Sequence, residues 1–353
     1  MSNLSDFLGG SGGGGGAPVN SISHLSVGGV TQYTDASGGE WLKTGNVLTT
    51  GLASYPDAVV KTRPSISSFS YDTVTGTLNG QSNLYRMRFK PDGTRVYAIN
   101  GSDNRLYQWD LSTAWDLSTI SASNTGNFNL NNFANPVTGF DFTKDGKFLY
   151  ASVNASSIKS IGVIGLSTAW NISTADNNNR SSYGVDMDYT WQYFSSNSTP
   201  STMAGPQDIY LSKDDSRIYV NYGDMIVQYK TPNAAGWQGT SNFLIESATQ
   251  MNGVYQIGFD PNYERIYIQQ NNTRLRECDI NPDDISTIKY KGNYSTTVFD
   301  NLGNWPQIQF KSDSTKLYAL AYNTNTIYQF SVTPEEYIGV PYTINSNSYL
   351  KIK

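Results

Sequence analysis

Few residues of this chain have the type or the spacing that catalysis or metal binding requires. The 353 residues include one cysteine, Cys278, and one histidine, His24. One thiol cannot form an internal disulfide, and one imidazole cannot supply a histidine-based metal cluster. We therefore expect both side chains to be structural or incidental.

Carboxylates are more numerous, and they could serve calcium binding or glycoside hydrolysis. The acidic turn at 281–284 lacks the ordered ligand spacing of an EF-hand loop. A carboxylate pair for glycoside hydrolysis would form only in space, and no spacing in the sequence nominates one. The motifs of serine hydrolases, phosphate-binding loops and zinc proteases are absent. We predict that the protein is not an enzyme and that it carries no catalytic residues, cofactor or metal.

Aromatic side chains are the remaining candidates for ligand contact. The stretch 176–202 lengthens one step of the repeat described below and mixes tyrosine and tryptophan with asparagine and serine. Such rings suit stacking on sugars or docking on a partner protein. The alternative is an extra strand whose rings cover the blade beneath. The candidate ligand contacts are Tyr189, Trp191, Tyr193 and, in a second glycine-flanked position, Trp237.

The composition favours short strands joined by polar turns, since tyrosine (25) and glycine (32) are abundant beside many Asn, Ser and Thr residues. The net charge is -5, and no basic cluster could neutralise a run of phosphates, so we expect no nucleic-acid partner. The start lacks a secretory signal, and no apolar run is long enough to span a bilayer. We expect folding in a cytosol without membrane insertion.

One strand–turn–strand phrase occurs five times and must position any site. Each copy has an apolar anchor, a second apolar residue two positions earlier, Asp or Asn three positions later, and Tyr eight positions later. The Asp or Asn side chain should hydrogen-bond the backbone two residues on and start a tight turn. The anchors are Phe89, Phe142, Leu211, Phe259 and Phe310, and the tyrosines are Tyr97, Tyr150, Tyr219, Tyr267 and Tyr318.

The spacing of this phrase predicts an all-β fold, a β-propeller of about five blades. Its tyrosines lie 48–69 residues apart, near the length of a four-stranded blade with loops. The segment 69–74 alternates like a strand without a hairpin phrase, and we predict that it completes the last blade. Trp115 and Trp170 occupy equivalent positions in the first two copies, which indicates packing caps on their blades.

A glycine-rich stretch predicts a flexible tether, because residues 9–16 are all glycine apart from Ser11. The following segment is too short for a stable domain, so we expect it to attach the chain to something larger. Its apolar attachment residues are Trp41, Leu42, Tyr55 and Pro56. The predicted domains are the N-terminal segment and tether, 1–16; the attachment segment, 17–66; the propeller, 67–335; and a C-terminal strand or tail, 336–353.

Two parts of the sequence resemble proteins of tailed bacteriophages. The phrases at 89–97 and 107–119 resemble the propeller repeats of tail-associated and other virion proteins. The opening at 2–10, the glycine run and the phrases around Trp41 and Tyr55 are similar to the N-terminal attachment segments of tail fibres. Later copies depart from the pattern, with Asp215, Tyr263 and Ser314 at the position where the first two copies have glycine.

This resemblance implies a structural virion protein, assembled in the host cytoplasm and anchored to other virion proteins by its N-terminal segment. It also implies a homo-oligomer in the particle and a propeller that contacts a host-surface glycan. It does not identify a receptor, because proteins that share this fold can have different functions. Two alternatives stay open: a glycan-cleaving propeller enzyme and a cytosolic protein-interaction propeller.

Overall fold

In a computed structural model of the chain, the residues described are 42–43, 47–48, 59–133, 135–155, 158–184, 205–231, 244–251, 253–270, 274–295, 306–321 and 324–339. The chain divides into two compact units, Pro64–Pro334 and a unit made of Met1–Arg63 with Glu335–Lys353. In the second of these, strands β1 (Leu42–Lys43) and β2 (Val47–Leu48) pair antiparallel.

The described strands of the larger unit form five four-stranded sheets, which we call blades 1 to 5. Strand β3 (Val59–Thr77) starts before them in the chain. Blade 1 contains β4 (Leu84–Phe89), β5 (Arg95–Asn100), β6 (Arg105–Asp110) and β7 (Gly126–Asn129). Blade 2 contains β8 (Val137–Phe142), β9 (Phe148–Ala155), β10 (Ile158–Leu166) and β11 (Ala175–Gly184). Short 3-10 helices lie at Leu117–Thr119, Leu130–Asn132 and Ile172–Thr174.

The remaining blades repeat this order. Blade 3 contains β12 (Asp208–Leu211), β13 (Arg217–Asn221), β14 (Met225–Lys230) and β15 (Leu244–Gln250). Blade 4 contains β16 (Val254–Phe259), β17 (Arg265–Gln270), β18 (Arg274–Asn281) and β19 (Asp284–Ser295). Blade 5 contains β20 (Gln307–Phe310), β21 (Lys316–Leu320) and β22 (Thr326–Gly339), followed by β3.

The ring is closed by β3, which is the fourth strand of blade 5 beside β22. The prediction that 69–74 completes the last blade is therefore confirmed. Ring contacts join Phe69 to Phe330 and Tyr71 to Tyr328, and the Asp72 carboxylate accepts a hydrogen bond from Gln329 at 2.8 Å. The strand is longer than predicted, because it begins at Val59, inside the segment 17–66 that was assigned to attachment.

The core lies between the blades rather than inside one sheet. Among the described residues there are five hydrophobic clusters, and each combines side chains of two neighbouring blades. The strands are accordingly buried on both faces, as the apolar runs in β5 and β21 predict. The observed architecture is an all-β, five-bladed propeller.

The repeated turn has the hydrogen bond that its sequence predicts. In four copies the carboxylate three residues after the anchor accepts from the backbone N–H two residues further on, at 3.0 Å; these are Asp92, Asp145, Asp214 and Asp313. In blade 4 the carboxylate of Asp260, the residue directly after the anchor, accepts from the backbone N–H groups of Glu264 and Arg265. A carboxylate therefore also stabilises the turn of blade 4.

The first part of the insert 176–202 is a regular strand of blade 2. Its first residues belong to β11, the fourth strand of blade 2, which pairs antiparallel with β10 from Ala175 to Gly184. The extra length of this step therefore begins after Gly184, and residues 185–204 lie outside the described part of the chain. Among the described residues, no helix has the length and apolar character needed to cross a membrane.

Candidate functional site

A cavity of about 460 Å³ lies where the first strands of the five blades converge. Its lining includes the ends of β4, β8, β12, β16 and β20 and the turns that follow them. First strands of neighbouring blades contact one another, so this position is the axis of the ring. Every blade contributes to the cavity, which makes it the candidate functional site.

Two tryptophans line the cavity from loops of blades 1 and 2. Trp115 packs against Phe89 and stacks on Tyr318 with ring centroids 5.6 Å apart, while Trp170 packs against Phe142. Both have positive φ, +66° and +64°, and both backbone N–H groups donate to the carbonyl of a turn glycine. The packing predicted for these residues is confirmed, and each ring lies at the lip of the cavity.

The glycines beneath these rings explain why the first two copies differ from the others. A Cβ atom at Gly93 would lie 2.2 Å from the Trp115 ring, and one at Gly146 would lie 2.2 Å from the Trp170 ring. Blade 4 has Tyr263 at this turn position, still with positive φ, and its own ring stacks on Phe259 at 4.9 Å. Tyr263 therefore supplies from within the turn an aromatic surface that blades 1 and 2 supply from a loop.

The floor of the cavity contains a carboxylate. The Asp141 oxygens accept hydrogen bonds from the backbone N–H groups of Leu211 (2.8 Å) and Phe142 (2.9 Å), and the side chain is 15% exposed. Burial raises the pKa of Asp141 to about 6, although these hydrogen bonds and the nearby Arg88 charge act in the opposite direction. Asp141 is thus a carboxyl group with a raised pKa at the floor of the cavity.

Arg88 crosses the axis beneath Asp141. Its guanidinium lies 3.9 Å from the centroid of the Tyr210 ring and donates to the Asp208 carboxylate (3.1 Å) and the Ile209 carbonyl (3.0 Å). Burial alone would lower the Arg88 pKa, but the Tyr210 hydroxyl and the Asp208 and Asp141 carboxylates raise it above its ordinary value. The cation is therefore permanently charged and joins blade 1 to blade 3.

A second layer of polar groups surrounds Asp208, which is fully buried. The Arg86 Nε atom lies 3.6 Å from its carboxylate, and Arg86 also donates to the Gln207 carbonyl at 2.7 Å. The Gln307 amide contacts the Tyr210 hydroxyl at 2.6 Å, which links blade 5 to blade 3. We call Arg86, Arg88, Asp141, Asp208, Tyr210 and Gln307 the axial network.

The rim of the cavity carries charges of both signs. The side chains of Lys144 and Lys213 line the mouth and are exposed. Both carboxylate oxygens of Asp215 accept from the Lys144 backbone N–H, at 3.0 and 3.1 Å. Burial raises the pKa of Asp215 to about 6 and that of Asp260 to about 6, against the lowering effect of their backbone hydrogen bonds.

The described residues that line this cavity include none of those predicted from sequence as attachment or ligand contacts. Leu42 is in β1, where only the backbone is described. The other predicted residues lie outside the described part of the chain: Trp41, Tyr55, Pro56, Tyr189, Trp191, Tyr193 and Trp237. The roles predicted for these residues stay predictions.

Sequence reasoning missed the cavity residues because most of them occupy repeat positions. Anchors such as Phe89 and Phe259 were interpreted only as strand ends, and Trp115 and Trp170 only as packing. One available signal was Arg88, a charged residue directly before an anchor and between two apolar strand residues. In the described residues, no cluster of three His, Cys, Asp or Glu side chains could hold a metal ion, and Cys278 is a buried free thiol.

Comparisons with known proteins do not indicate a function for this chain. No protein-family model matches the sequence, and no curated protein sequence matches it. Among solved structures, the β-propeller domain of Cps50 (Swd1) from Myceliophteria thermophila is 11% identical with a TM-score of 0.42, covering 75% of this chain and 100% of that one. Hydrazine synthase of Kuenenia stuttgartiensis is 13% identical with a TM-score of 0.39, covering 71% and 58%. A functionally unknown protein from Desulfotomaculum acetoxidans is 12% identical with a TM-score of 0.39, covering 69% and 80%.

Proposed function

We propose that this protein is a structural component of a tailed-phage particle, anchored through its N-terminal segment and displaying its propeller toward the host surface. The observation that carries the proposal is that the chain enters and leaves the propeller at the same blade. The polypeptide enters the ring through β3 and leaves it through β22, which are neighbouring strands of blade 5. Arg63 and Glu335 form an ion pair, so the start of β3 and the end of β22 lie side by side.

A propeller held by one blade suits display, because the other four blades have no covalent link to an attachment segment. The glycine-rich residues 9–16, which the sequence predicts to be a flexible tether, lie between the chain start and the ring. The resemblance of the repeat and of the N-terminal segment to phage tail proteins supports the same function. Contact with a host-surface glycan is part of this proposal.

The described carboxylates favour binding over glycan cleavage. A glycosidase needs two carboxyl groups free to act on the bond between them. At the cavity, both oxygens of Asp215 accept a backbone N–H, and the Asp260 carboxylate accepts from three backbone N–H groups. These two groups stabilise turns, which leaves Asp141 as the remaining carboxylate among the described residues of the cavity.

Peptide mass spectrometry of purified phage particles tests the proposal. We expect the full chain in the particles and in the fractions that hold tail structures. A variant lacking residues 1–57, which keeps β3 intact, should fold but should not be incorporated. Deletion of residues 9–16 alone is the matched control and should leave incorporation unchanged. Absence of the full chain from particles, or efficient incorporation of the truncated chain, would overturn the proposal.

A further inference from the structure

The axial cavity has the dimensions of a small-molecule site. Its volume of about 460 Å³ lies within the roughly 300–1,000 Å³ that such sites occupy. The first strands of all five blades form its walls, and Arg88 and Asp141 define its floor. The shape is therefore set by the closed ring and does not depend on a loop that must move.

The aromatic part of the lining is partly exposed at the lip. The rings of Trp115, Trp170 and Tyr263 are half-buried, so one part of each packs on its blade and the rest is accessible. All three residues have positive φ, a backbone conformation that costs free energy for a residue with a side chain. Strained residues that gather at one place indicate a functional constraint there. Flat, accessible rings in a preformed cavity suit a ligand with apolar faces.

Among the described residues, the charges of the lining balance. The cations are Arg88, Lys144 and Lys213, and the carboxylates are Asp141, Asp215 and Asp260. Arg88 is further neutralised by Asp208 beneath it. A net charge near zero gives neither an anion nor a cation an advantage, whereas polar groups of both kinds remain available to a neutral ligand.

The polar groups can hydrogen-bond hydroxyls. Each Asp141 oxygen that accepts one backbone N–H has a second lone pair. The exposed Lys144 and Lys213 ammonium groups are donors at the rim. Acceptors at the floor, donors at the mouth and aromatic rings at the lip match the alternation of hydroxyl groups and C–H faces in a sugar.

We propose that the axial cavity binds a neutral saccharide unit of one or two rings, stacked on Trp115 or Trp170 and hydrogen-bonded to Asp141. The inference rests on the proposed host-surface contact and gives that contact a site at the propeller axis. It differs from the sequence-based expectation of a glycan site on the insert that carries Trp191.

Ligand-observed saturation-transfer NMR on the full chain tests this inference. The neutral probes are glucose, galactose, mannose, N-acetylglucosamine and their disaccharides, and the charged probes are glucuronic acid and inorganic phosphate. We expect at least one neutral probe to bind with a dissociation constant in the millimolar range. Binding of the charged probes alone, or of no probe, would overturn the inference.

Variants locate the binding site. Ser312 is exposed on the rim, so Ser312→Trp should fill the mouth without disturbing the fold and should abolish the signal. Trp170→Leu should weaken binding about five- to tenfold through loss of a stacking surface. Tyr290→Ala is the control, because this exposed ring lies on β19, away from the cavity, and its loss should change nothing. Unchanged binding by a folded Ser312→Trp protein would place the sugar elsewhere.

The outcome is separable from that of the proposed function. A chain found in particles that binds no neutral sugar would leave the virion assignment standing and refute the cavity site. A chain that binds sugar in the cavity but is absent from particles would refute the virion assignment alone.

Discussion

The tyrosine eight residues after each anchor joins neighbouring blades. The Tyr318 hydroxyl of blade 5 donates to the Trp115 carbonyl of blade 1 at 2.9 Å, and the Tyr219 hydroxyl of blade 3 donates to the Pro282 carbonyl of blade 4 at 2.7 Å. The ring of each such tyrosine also packs on the next anchor, as Tyr318 does on Phe89 at 4.8 Å. The residue recurs because every interface between blades needs one.

Removing one of these hydroxyl groups should weaken a single interface. Tyr318→Phe keeps the ring but leaves the Trp115 carbonyl without this donor, so we expect the free energy of unfolding to fall by about 1 kcal/mol. Urea denaturation gives the value. Tyr290→Phe is the control, since its ring is 55% exposed and the change should stay within about 0.5 kcal/mol. Equal effects of the two substitutions would contradict the role assigned to the hydroxyl.

The turn position occupied by glycine in blades 1 and 2 is strained in blade 5. Ser314 has φ of +63°, and its buried hydroxyl has no hydrogen-bond partner among the described residues. Ser314→Gly removes both penalties, although the unfolded chain gains conformational entropy from glycine, which offsets part of the stabilisation. The net free energy of unfolding should rise by about 1 kcal/mol. Gly93→Ala makes the opposite change and should destabilise, because its Cβ would collide with Trp115. Thermal unfolding of both variants compares the two directions.

Asp260 should make stability depend on pH. Burial raises its pKa to about 6, above the model-peptide value of 3.8, so the folded state holds a proton that the unfolded state releases. Its contribution is complete below about pH 4 and is lost as the pH rises through 6. Asp260→Asn should therefore reduce the fall of unfolding free energy over this window by up to about 1.4 kcal/mol per pH unit. If Asp260→Asn leaves the pH dependence of the free energy of unfolding unchanged between pH 4 and 6, the pKa of Asp260 is not raised in the folded protein.

Turn chemistry could be predicted from single residues, whereas contacts between blades could not. The hydrogen bond that the Thr94 backbone N–H donates to Asp92 joins residues two positions apart in the chain. The local sequence is therefore sufficient to predict it. The partner of Tyr318 lies 203 positions away, and a repeat gives no indication of which carbonyl faces which hydroxyl. The cavity was missed for the same reason, since Arg88 and Asp208 meet only after the ring closes.

At the scale of elements, β3 determines whether blade 5 is complete. The alternation of apolar and polar residues in 69–74 was enough to predict that this segment pairs as a strand. Residues 59–68 contain Pro64 and lack the alternation, so the start of the strand was not predictable. The Pro64 carbonyl nevertheless has a function, because it accepts the Tyr267 hydroxyl of blade 4 at 3.1 Å.

Removing β3 should therefore open the ring. A chain that begins at residue 78 lacks β3, so β22 becomes an exposed edge strand and Phe330 loses its ring contact with Phe69. Exposed edge strands pair with other chains, so we expect aggregation or a large loss of thermal stability. A chain that begins at residue 58 is the matched control and should behave as a folded monomeric ring or its native oligomer in size-exclusion chromatography. A soluble, cooperatively unfolding chain without β3 would show that blade 5 does not need its fourth strand.

At the scale of the whole molecule, the axial network connects blades that are not neighbours in sequence. Arg88 of blade 1 bonds to Asp208 of blade 3, and Gln307 of blade 5 reaches Tyr210 of blade 3. Gly139 of blade 2 permits the approach, because a Cβ atom there would lie 2.4 Å from an Asp208 oxygen. Five sheets that touch mainly their neighbours thus gain a common polar centre under the cavity.

The Arg88–Asp208 pair should behave as one energetic unit. Both side chains are buried, so loss of either partner leaves the other charge out of water with only a more distant counter-charge, Arg86 for Asp208 or Asp141 for Arg88. Arg88→Met and Asp208→Asn should each lower the free energy of unfolding by about 3–5 kcal/mol. The double variant leaves neither charge and should cost clearly less than the two single changes added together.

Urea denaturation of the four proteins completes this double-mutant cycle. Asp141→Asn alone is a useful comparison, because its carboxylate is 3.8 Å from the Arg88 Nε atom and also accepts two backbone N–H groups. It should couple to Arg88→Met more weakly than Asp208→Asn does, since its distance to the guanidinium is longer and it is partly exposed. Additive costs for Arg88 and Asp208 would mean that the two side chains stabilise their own blades independently. The axis would then be a place where blades meet without being held together by charge.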